Sequence, residues 1–223
     1  MKEGDFGSAW AWFPVIGLGI GAILVGVHTI VLRLGDPLLA AAAVLAAWVA
    51  VTGALHLDGL GDCIDGLAGG TSREERLRIM ADPHVGAMAV VAITTLLITK
   101  FALLAGLSRA PSAAALLLAP CLGRYTMVLL GTTLPAARPD GTAAPFVREA
   151  CLLALVIATA VTAAACVVLR GISGAVGFVL IVGCGLGLRT LAARALGGIT
   201  GDALGAAGEL TEVIGLWALV WLP

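Results

Sequence analysis

Apolar runs of about 20 residues follow one another along almost the whole chain, and a run of that length matches the hydrocarbon thickness that one α-helix crosses. From Trp12 to Leu32, and again from Pro37 to Leu57, no Asp, Glu, Lys or Arg interrupts the run. Lipid solvates such segments. In lipid every backbone N–H and C=O must be paired within the protein, which restricts a spanning chain to helices or a closed barrel. A barrel requires strands of alternating polarity, which are absent from these runs. Composition agrees, since 12% of the residues are charged and a soluble domain needs about 25% to cover its surface. The sequence predicts an all-α, polytopic transmembrane helix bundle, with residues 1–223 forming a single integral-membrane domain.

Seven spans are expected, at Trp12–Leu32, Pro37–Leu57, Ala87–Leu107, Pro111–Leu134, Ala150–Leu169, Ile172–Leu188 and Ala203–Leu222. Turn and charge signals separate them at Arg33-Leu34-Gly35-Asp36-Pro37, at Ser108-Arg109-Ala110-Pro111 and at Ala137-Arg138-Pro139-Asp140-Gly141. The first run is too long for the core of a signal peptide and is read as a retained span. With the N-terminus inside, Lys2, Arg73, Arg76, Arg78, Arg138, Arg148, Arg189 and Arg194 fall on the cytoplasmic side, against Arg33, Arg109 and Arg170 outside. This is the positive-inside asymmetry of an inner-membrane protein. The five cysteines sit mostly in apolar runs without paired spacing and read as small buried residues. No basic tract points to nucleic acid.

Chemistry concentrates in the segment His56-Leu57-Asp58-Gly59-Leu60-Gly61-Asp62-Cys63-Ile64-Asp65-Gly66. At about 100° per residue, Asp58, Asp62 and Asp65 fall within about 60° of one helical face. Three carboxylates on one stripe repel one another and each is costly near a bilayer, so a counter-ion is expected. A divalent cation such as Mg²⁺, held by carboxylates, phosphate oxygens and water, meets that need. Gly59, Gly61, Gly66, Gly69 and Gly70 are expected to leave room for a bulky substrate. Ser72 followed by Glu75 is a capping-box signature for a short helix. Arg73, Arg76 and Arg78 on that helix suit phosphate binding or are ordinary positive-inside charge. Asp82, before Pro83 and close to His84, is a fourth metal ligand or a turn residue.

Two cations lie inside spans, and an intramembrane charge is a functional candidate by default. Lys100 is expected to face the site, and Arg124 to meet a phosphate or a carboxylate. A second acidic cluster, Asp202, Glu209 and Glu212, follows the small-residue face of Gly201, Gly205 and Gly208. Packing it near the first would make a two-sided pocket.

The run from His56 to Gly70 resembles the acidic motif of the cobalamin synthase family, also called adenosylcobinamide-GDP ribazoletransferases. Arg78-Ile79-Met80-Ala81-Asp82-Pro83-His84-Val85-Gly86 is similar to that family's following stretch, and Thr200–Glu212 to its C-terminal signature. Lys100, Arg124 and Ala137–Gly141 stand where the family has comparable residues, while its N-terminal entry is reduced here to Ala11-Trp12-Phe13-Pro14. The resemblance implies a Mg²⁺-dependent transferase of cobalamin biosynthesis, multi-pass in the inner membrane, with its site facing the cytoplasm and an oligomer possible. Adenosylcobinamide-GDP and α-ribazole, or its 5′-phosphate, would give adenosylcobalamin, or its phosphate, and GMP. Under that reading Asp58, Asp62, Asp65 and Asp82 hold metal. Asp62, Asp65 and Asp82 are catalytic, with a general base among them. Arg73, Arg76, Lys100, Arg124, Asp202 and Glu209 bind substrate. The Asp62-x-x-Asp65-Gly66 core also resembles part of the CDP-alcohol phosphotransferase motif, which makes a phospholipid synthase the second enzymatic reading. An ion-coupled transporter is the rival from another class.

Overall fold

A computed structural model describes residues 5–107 and 112–221 of the chain. The turn at Ser108–Pro111 and the charged residues Lys2 and Glu3 lie outside the described residues. The elements in order are α1 (Asp5–Ala9), a 3-10 turn (Trp10–Trp12), α2 (Phe13–Leu32), α3 (Pro37–Thr52), α4 (Leu55–Gly69), α5 (Arg73–Ile79), α6 (Ala87–Gly106), α7 (Ser112–Thr133), α8 (Ala144–Arg148), α9 (Leu152–Leu196) and α10 (Gly201–Trp221). The described residues form no strand beyond one isolated bridge between Ala136 and Ile199. The expected all-α bundle is what the structure shows.

Five of the helices are long and apolar enough to cross a membrane, and α3 with α4 make a sixth if that bent pair is one span. The run expected as a single span at Pro37–Leu57 is instead broken at Gly53 and Ala54, both at positive φ, and the two helices meet at 84°. Asp36 starts α3 by accepting hydrogen bonds from the Leu38 and Leu39 N–H groups, with Pro37 at the first helical position. The acidic segment is thus carried by a separate helix, α4.

The element α9 runs for 45 residues, which in a straight helix would be about 67 Å, twice a bilayer. It turns back at Gly171, whose φ of 57° and ψ of −132° are not helical. Both of its ends lie on one side of the bundle. Arg148, just before its start, donates to the Pro139 carbonyl (2.6 Å), while Arg73 donates both to the Leu196 carbonyl at its end (2.8 Å) and to that of Ala137 (2.9 Å). Residues 152–170 and 172–196 therefore form an antiparallel pair, and the bundle makes seven passes when the bent pair counts as one. Arg73, Arg76, Arg78, Arg138, Arg148 and Arg194 gather at the face of these loops, and Arg33 and Arg170 lie at the opposite face.

At the centre stands α7, packed against α2, α9 and α10. The buried core includes Leu116, Leu118, Leu122, Val128 and Leu130 from this helix. Where lipid removes the hydrophobic drive, close backbone approach supplies the packing energy. A Cβ on Gly17 would come within 2.6 Å of the Cys121 Cα, so only glycine lets α2 and α7 meet there.

Four charges are sealed between α6, α7 and α10. Lys100 is 2% exposed, Arg124 5%, Glu209 2% and Glu212 0%. Lys100 Nζ donates to Glu209 (2.7 Å) and to Glu212 (2.5 Å), and Arg124 donates to the other oxygen of Glu212. The ammonium also lies 4.4 Å from the centre of the Trp48 ring on α3. Two cations and two anions balance, so the group is neutral as a whole. Removing one partner strands a buried charge and costs about 3–5 kcal/mol. Glu212→Ala and Lys100→Met are expected to lower the unfolding temperature of the detergent-solubilised protein by that equivalent, and unchanged melting of either variant would refute the assignment.

Candidate functional site

The two acidic motifs meet because glycine permits it. A Cβ on Gly59 would lie 2.8 Å from both Cα and O of Asp202, and one on Gly205 would lie 3.0 Å from the Cα of His56. Helices α4 and α10 are therefore in backbone contact at Gly59 and Asp202. Asp62 is within electrostatic reach of Asp202, Asp58 and Asp65, and of Arg138 as the counter-charge. Asp202 in turn feels Arg138 and Asp58 and is bonded by the Thr200 side chain. Of the second acidic cluster only Asp202 comes to the first, because Glu209 and Glu212 are held in the buried group with Lys100 and Arg124.

Beside Asp202 lies a cavity of about 540 Å³ lined by Arg138, Pro139, Asp140, Thr142, Thr200 and Asp202, among others. Two loops are stitched together to form it. Ile199 N–H donates to the Pro135 carbonyl and Ala137 N–H to the Ile199 carbonyl, both at 2.9 Å. A Cβ on Gly198 would meet the Ala137 N at 3.0 Å. This short ladder fixes Arg138 beside the N-terminus of α10, where Thr200 Oγ1 accepts from Ala203 N–H (3.1 Å). The arginine also donates to the Leu77 carbonyl. A helix N-terminus and a guanidinium together favour an anion. Sequence reading placed Arg138 in a turn and in a stretch comparable to the family's, without naming it as a site residue, since its spacing holds no information about the partner loop.

Several expected roles are revised by what the side chains touch. Arg73 and Arg76 do not reach the aspartates. Besides the bonds of Arg73 to Leu196 and Ala137, Arg76 donates to the carbonyls of Gly70 (3.1 Å) and Ala195 (3.3 Å). They anchor α5 to the end of α9 rather than clamp phosphates. Inside the bundle Lys100 pairs with Glu209 and Glu212, and Arg124 with Glu212. Asp65 acts as the N-terminal cap of α6, accepting from Gly86 N–H (2.6 Å) and Ala89 N–H (2.9 Å). Asp82 is exposed and closes a turn, accepting from His84 N–H (3.0 Å), with the His84 Nδ1 at 2.5 Å. The His84 backbone hydrogen bond, and then its ring, hold the Asp82 carboxyl below the usual range, and the side chain closes this turn. The glycines expected to make room for substrate instead admit protein: Gly66 faces Met80, Gly61 faces Ala89 and Ile93, and Gly70 faces Arg76.

The capping box at Ser72 and Glu75 is present, with one change. Ser72 Oγ accepts from Glu75 N–H (3.2 Å), and the Glu75 carboxylate reaches back to the Thr71 N–H and hydroxyl (both 2.9 Å). Among the described residues no three His, Cys, Asp or Glu side chains converge enough to hold a metal ion by themselves.

Fold and site together define a multi-pass helical membrane protein with a carboxylate and arginine site at one face of its bundle. The family model for cobalamin-5-phosphate synthase matches residues 1–220, and the chain belongs to that family. Curated proteins named adenosylcobinamide-GDP ribazoletransferase align over nearly all of it. That of Pseudomonas fluorescens (strain SBW25) is 38% identical over 211 residues, covering 94% of this chain and 86% of the relative. That of Chlorobaculum tepidum is 39% identical over 222 residues (97% and 87%), and that of Pseudomonas savastanoi pv. phaseolicola 40% over 220 residues (98% and 90%). No solved structure shows significant similarity to the chain.

Loss of a capping carboxylate costs about 0.5–2 kcal/mol. Asp65→Ala is therefore expected to lower the melting temperature, and Asp82→Ala to leave it nearly unchanged. Equal melting of the Asp65 variant and the parent would show that the cap carries no weight.

Proposed function

We propose that this chain is an adenosylcobinamide-GDP ribazoletransferase. It moves the adenosylcobinamide phosphoryl group from adenosylcobinamide-GDP to α-ribazole, or its 5′-phosphate, and releases GMP. The observation that carries this reading is the seating of Asp202 on Gly59, which joins both acidic motifs beside the Arg138 cavity. In the reaction the ribazole hydroxyl oxygen bonds to the phosphorus attached to cobinamide, and the bond from that phosphorus to the GMP oxygen breaks. The hydroxyl proton goes to a carboxylate of the site, for which Asp62 is the central candidate. Arg138 and the α10 N-terminus hold the diphosphate oxygens and favour the charge that grows on the leaving GMP.

Asp58, Asp62 and Asp202 offer hard oxygens, and because no three such side chains converge on one point among the described residues, one or two of them would hold Mg²⁺, with diphosphate oxygens and water as its remaining ligands. When bound it neutralises the diphosphate and the leaving nucleotide. Asp65 supports the set by fixing α4 against α6. The basic residues around the cavity support a site facing the cytoplasm of an inner-membrane protein.

Purified protein given Mg²⁺, adenosylcobinamide-GDP and α-ribazole is expected to release GMP, to stop when the metal is chelated, and to resume on adding Mg²⁺. Asp62→Asn should lower kcat by about 10²–10⁴-fold with unchanged melting, and Arg138→Ala should mainly raise the KM for adenosylcobinamide-GDP. Nucleotide release from a CDP-alcohol, with none from adenosylcobinamide-GDP, would replace this reading by the phospholipid-synthase one.

A further inference from the structure

The cavity beside Asp202 carries a carboxylate to which the reaction above gives no role. Its lining holds one cation, Arg138, and two acids, Asp202 and Asp140. Asp202 is bonded by the Thr200 side chain and lies in the field of Arg138 and Asp58. Asp140 is exposed, and among the described residues its carboxylate has no hydrogen-bond or ionic partner. It is the third residue of a turn from Arg138 to Gly141, closed by the Gly141 N–H on the Arg138 carbonyl (3.3 Å). An aspartate in a turn ordinarily bonds a backbone N–H of its own loop. Asp140 instead leaves both oxygens to whatever enters the cavity. A bare carboxylate repels a diphosphate held beside it, unless another part of the same ligand brings N–H donors to it. That part must lie close to the phosphates, since the ends of such a turn are within about 7 Å of each other.

Under the function proposed above, on which this inference rests, the guanosine half of the donor substrate joins a diphosphate to such donors. The cavity volume of about 540 Å³ falls within the roughly 300–1,000 Å³ of small-molecule sites. An ionised aspartate offers acceptors only, two oxygens side by side. Guanine is the one common base whose Watson–Crick edge sets two donors side by side, N1–H and the 2-amino group. Adenine and cytosine place a ring acceptor next to their amino group, and uracil sets its single N–H between two carbonyls. We propose that Asp140 reads the guanine of the donor: its two oxygens accept from N1–H and the 2-amino group, while Arg138, two residues earlier, holds the diphosphate. One turn then supplies both the phosphate contact and the base contact. The bond from Ala137 N–H to the Ile199 carbonyl (2.9 Å) ties that turn to the start of α10, so both contacts keep a fixed distance from Asp202.

The test titrates the full-length protein in detergent with GMP, IMP and XMP in the presence of Mg²⁺, alongside turnover. The parent should bind GMP about tenfold more tightly than IMP, which lacks the 2-amino group, the range of one hydrogen bond to a charged group. Asp140→Asn keeps the turn, which asparagine suits equally, and replaces one acceptor by a donor. It should weaken GMP about tenfold and bring XMP, whose 2-carbonyl accepts from the new amide, level with GMP or above it. The KM for adenosylcobinamide-GDP should rise in parallel, and that for α-ribazole should stay within about twofold. Asp140→Ala should make GMP and IMP bind alike, and it decides the matter if the Asn variant fails to fold. An Asn variant that keeps the parent's preference for GMP over IMP and XMP overturns the assignment. So does a raised KM for adenosylcobinamide-GDP with unchanged mononucleotide binding, which would mean that Asp140 meets the cobinamide half. A parent that releases no GMP refutes the proposed function, and the titrations then judge Asp140 separately: a guanine preference lost in the variant upholds its role, and no preference in the parent ends it.

Discussion

Glu212 lies between Lys100 and Arg124 at 0% exposure, and this ionic clasp sets the relative register of three helices. Lipid offers no water to an isolated charge, so each of these side chains is tolerated only while the others are in place. The clasp ties α10 to α6 and α7 in the middle of the bundle. Ten residues earlier on the same helix, Asp202 rests on Gly59 of α4. A rotation or slide of α10 that broke the clasp would therefore also carry Asp202 away from Asp62. Stability and chemistry share one rigid element, and the buried charges serve the site through position.

Much of this arrangement was legible from the chain alone, for definite reasons. Span length is fixed by bilayer thickness, so the passes could be counted. The reversal at Gly171 was placed between the fifth and sixth runs although the helix there is nearly continuous. The Asp58, Asp62 and Asp65 stripe was visible because helical periodicity is local. The small-residue face of α10 suggested close packing there, but Gly59, which receives Asp202, was read as room for substrate. What could not be read were the partners of long side chains. Arg73, Arg76 and Arg138 are equivalent as letters, yet two of them bond backbone carbonyls at the end of α9 and the third lines the cavity. Their fates depend on which loops meet in space. Asp65 and Asp82 likewise look like their neighbours, and only the paths of Gly86–Ala89 and His84 show that both serve the backbone. The break at Gly53 and Ala54 was also missed, because Ala54 has no intrinsic reason to adopt a positive φ.

Membership of the cobalamin-5-phosphate synthase family fits a site of this construction. A transfer between two nucleotide-bearing molecules requires negative charge to be managed in one small volume, and carboxylates facing a guanidinium at a helix N-terminus provide for that. A carrier would need access from both sides of the bilayer to the same point. Here the Arg138 cavity lies among the loops of one face, and the clasp of Lys100, Arg124, Glu209 and Glu212 is buried within the bundle.

The chain reversal at Gly171 has a consequence for how the protein meets its surroundings. Among the described residues, the far surface consists of the turn at Arg33–Asp36 and that single glycine between helices. Among those residues the longer extramembrane loops, including Arg73–Ile79 and Pro135–Arg148, gather at the face that carries Arg138 and the N-terminus of α10, so the recognisable outline of the molecule is concentrated at one of its two ends.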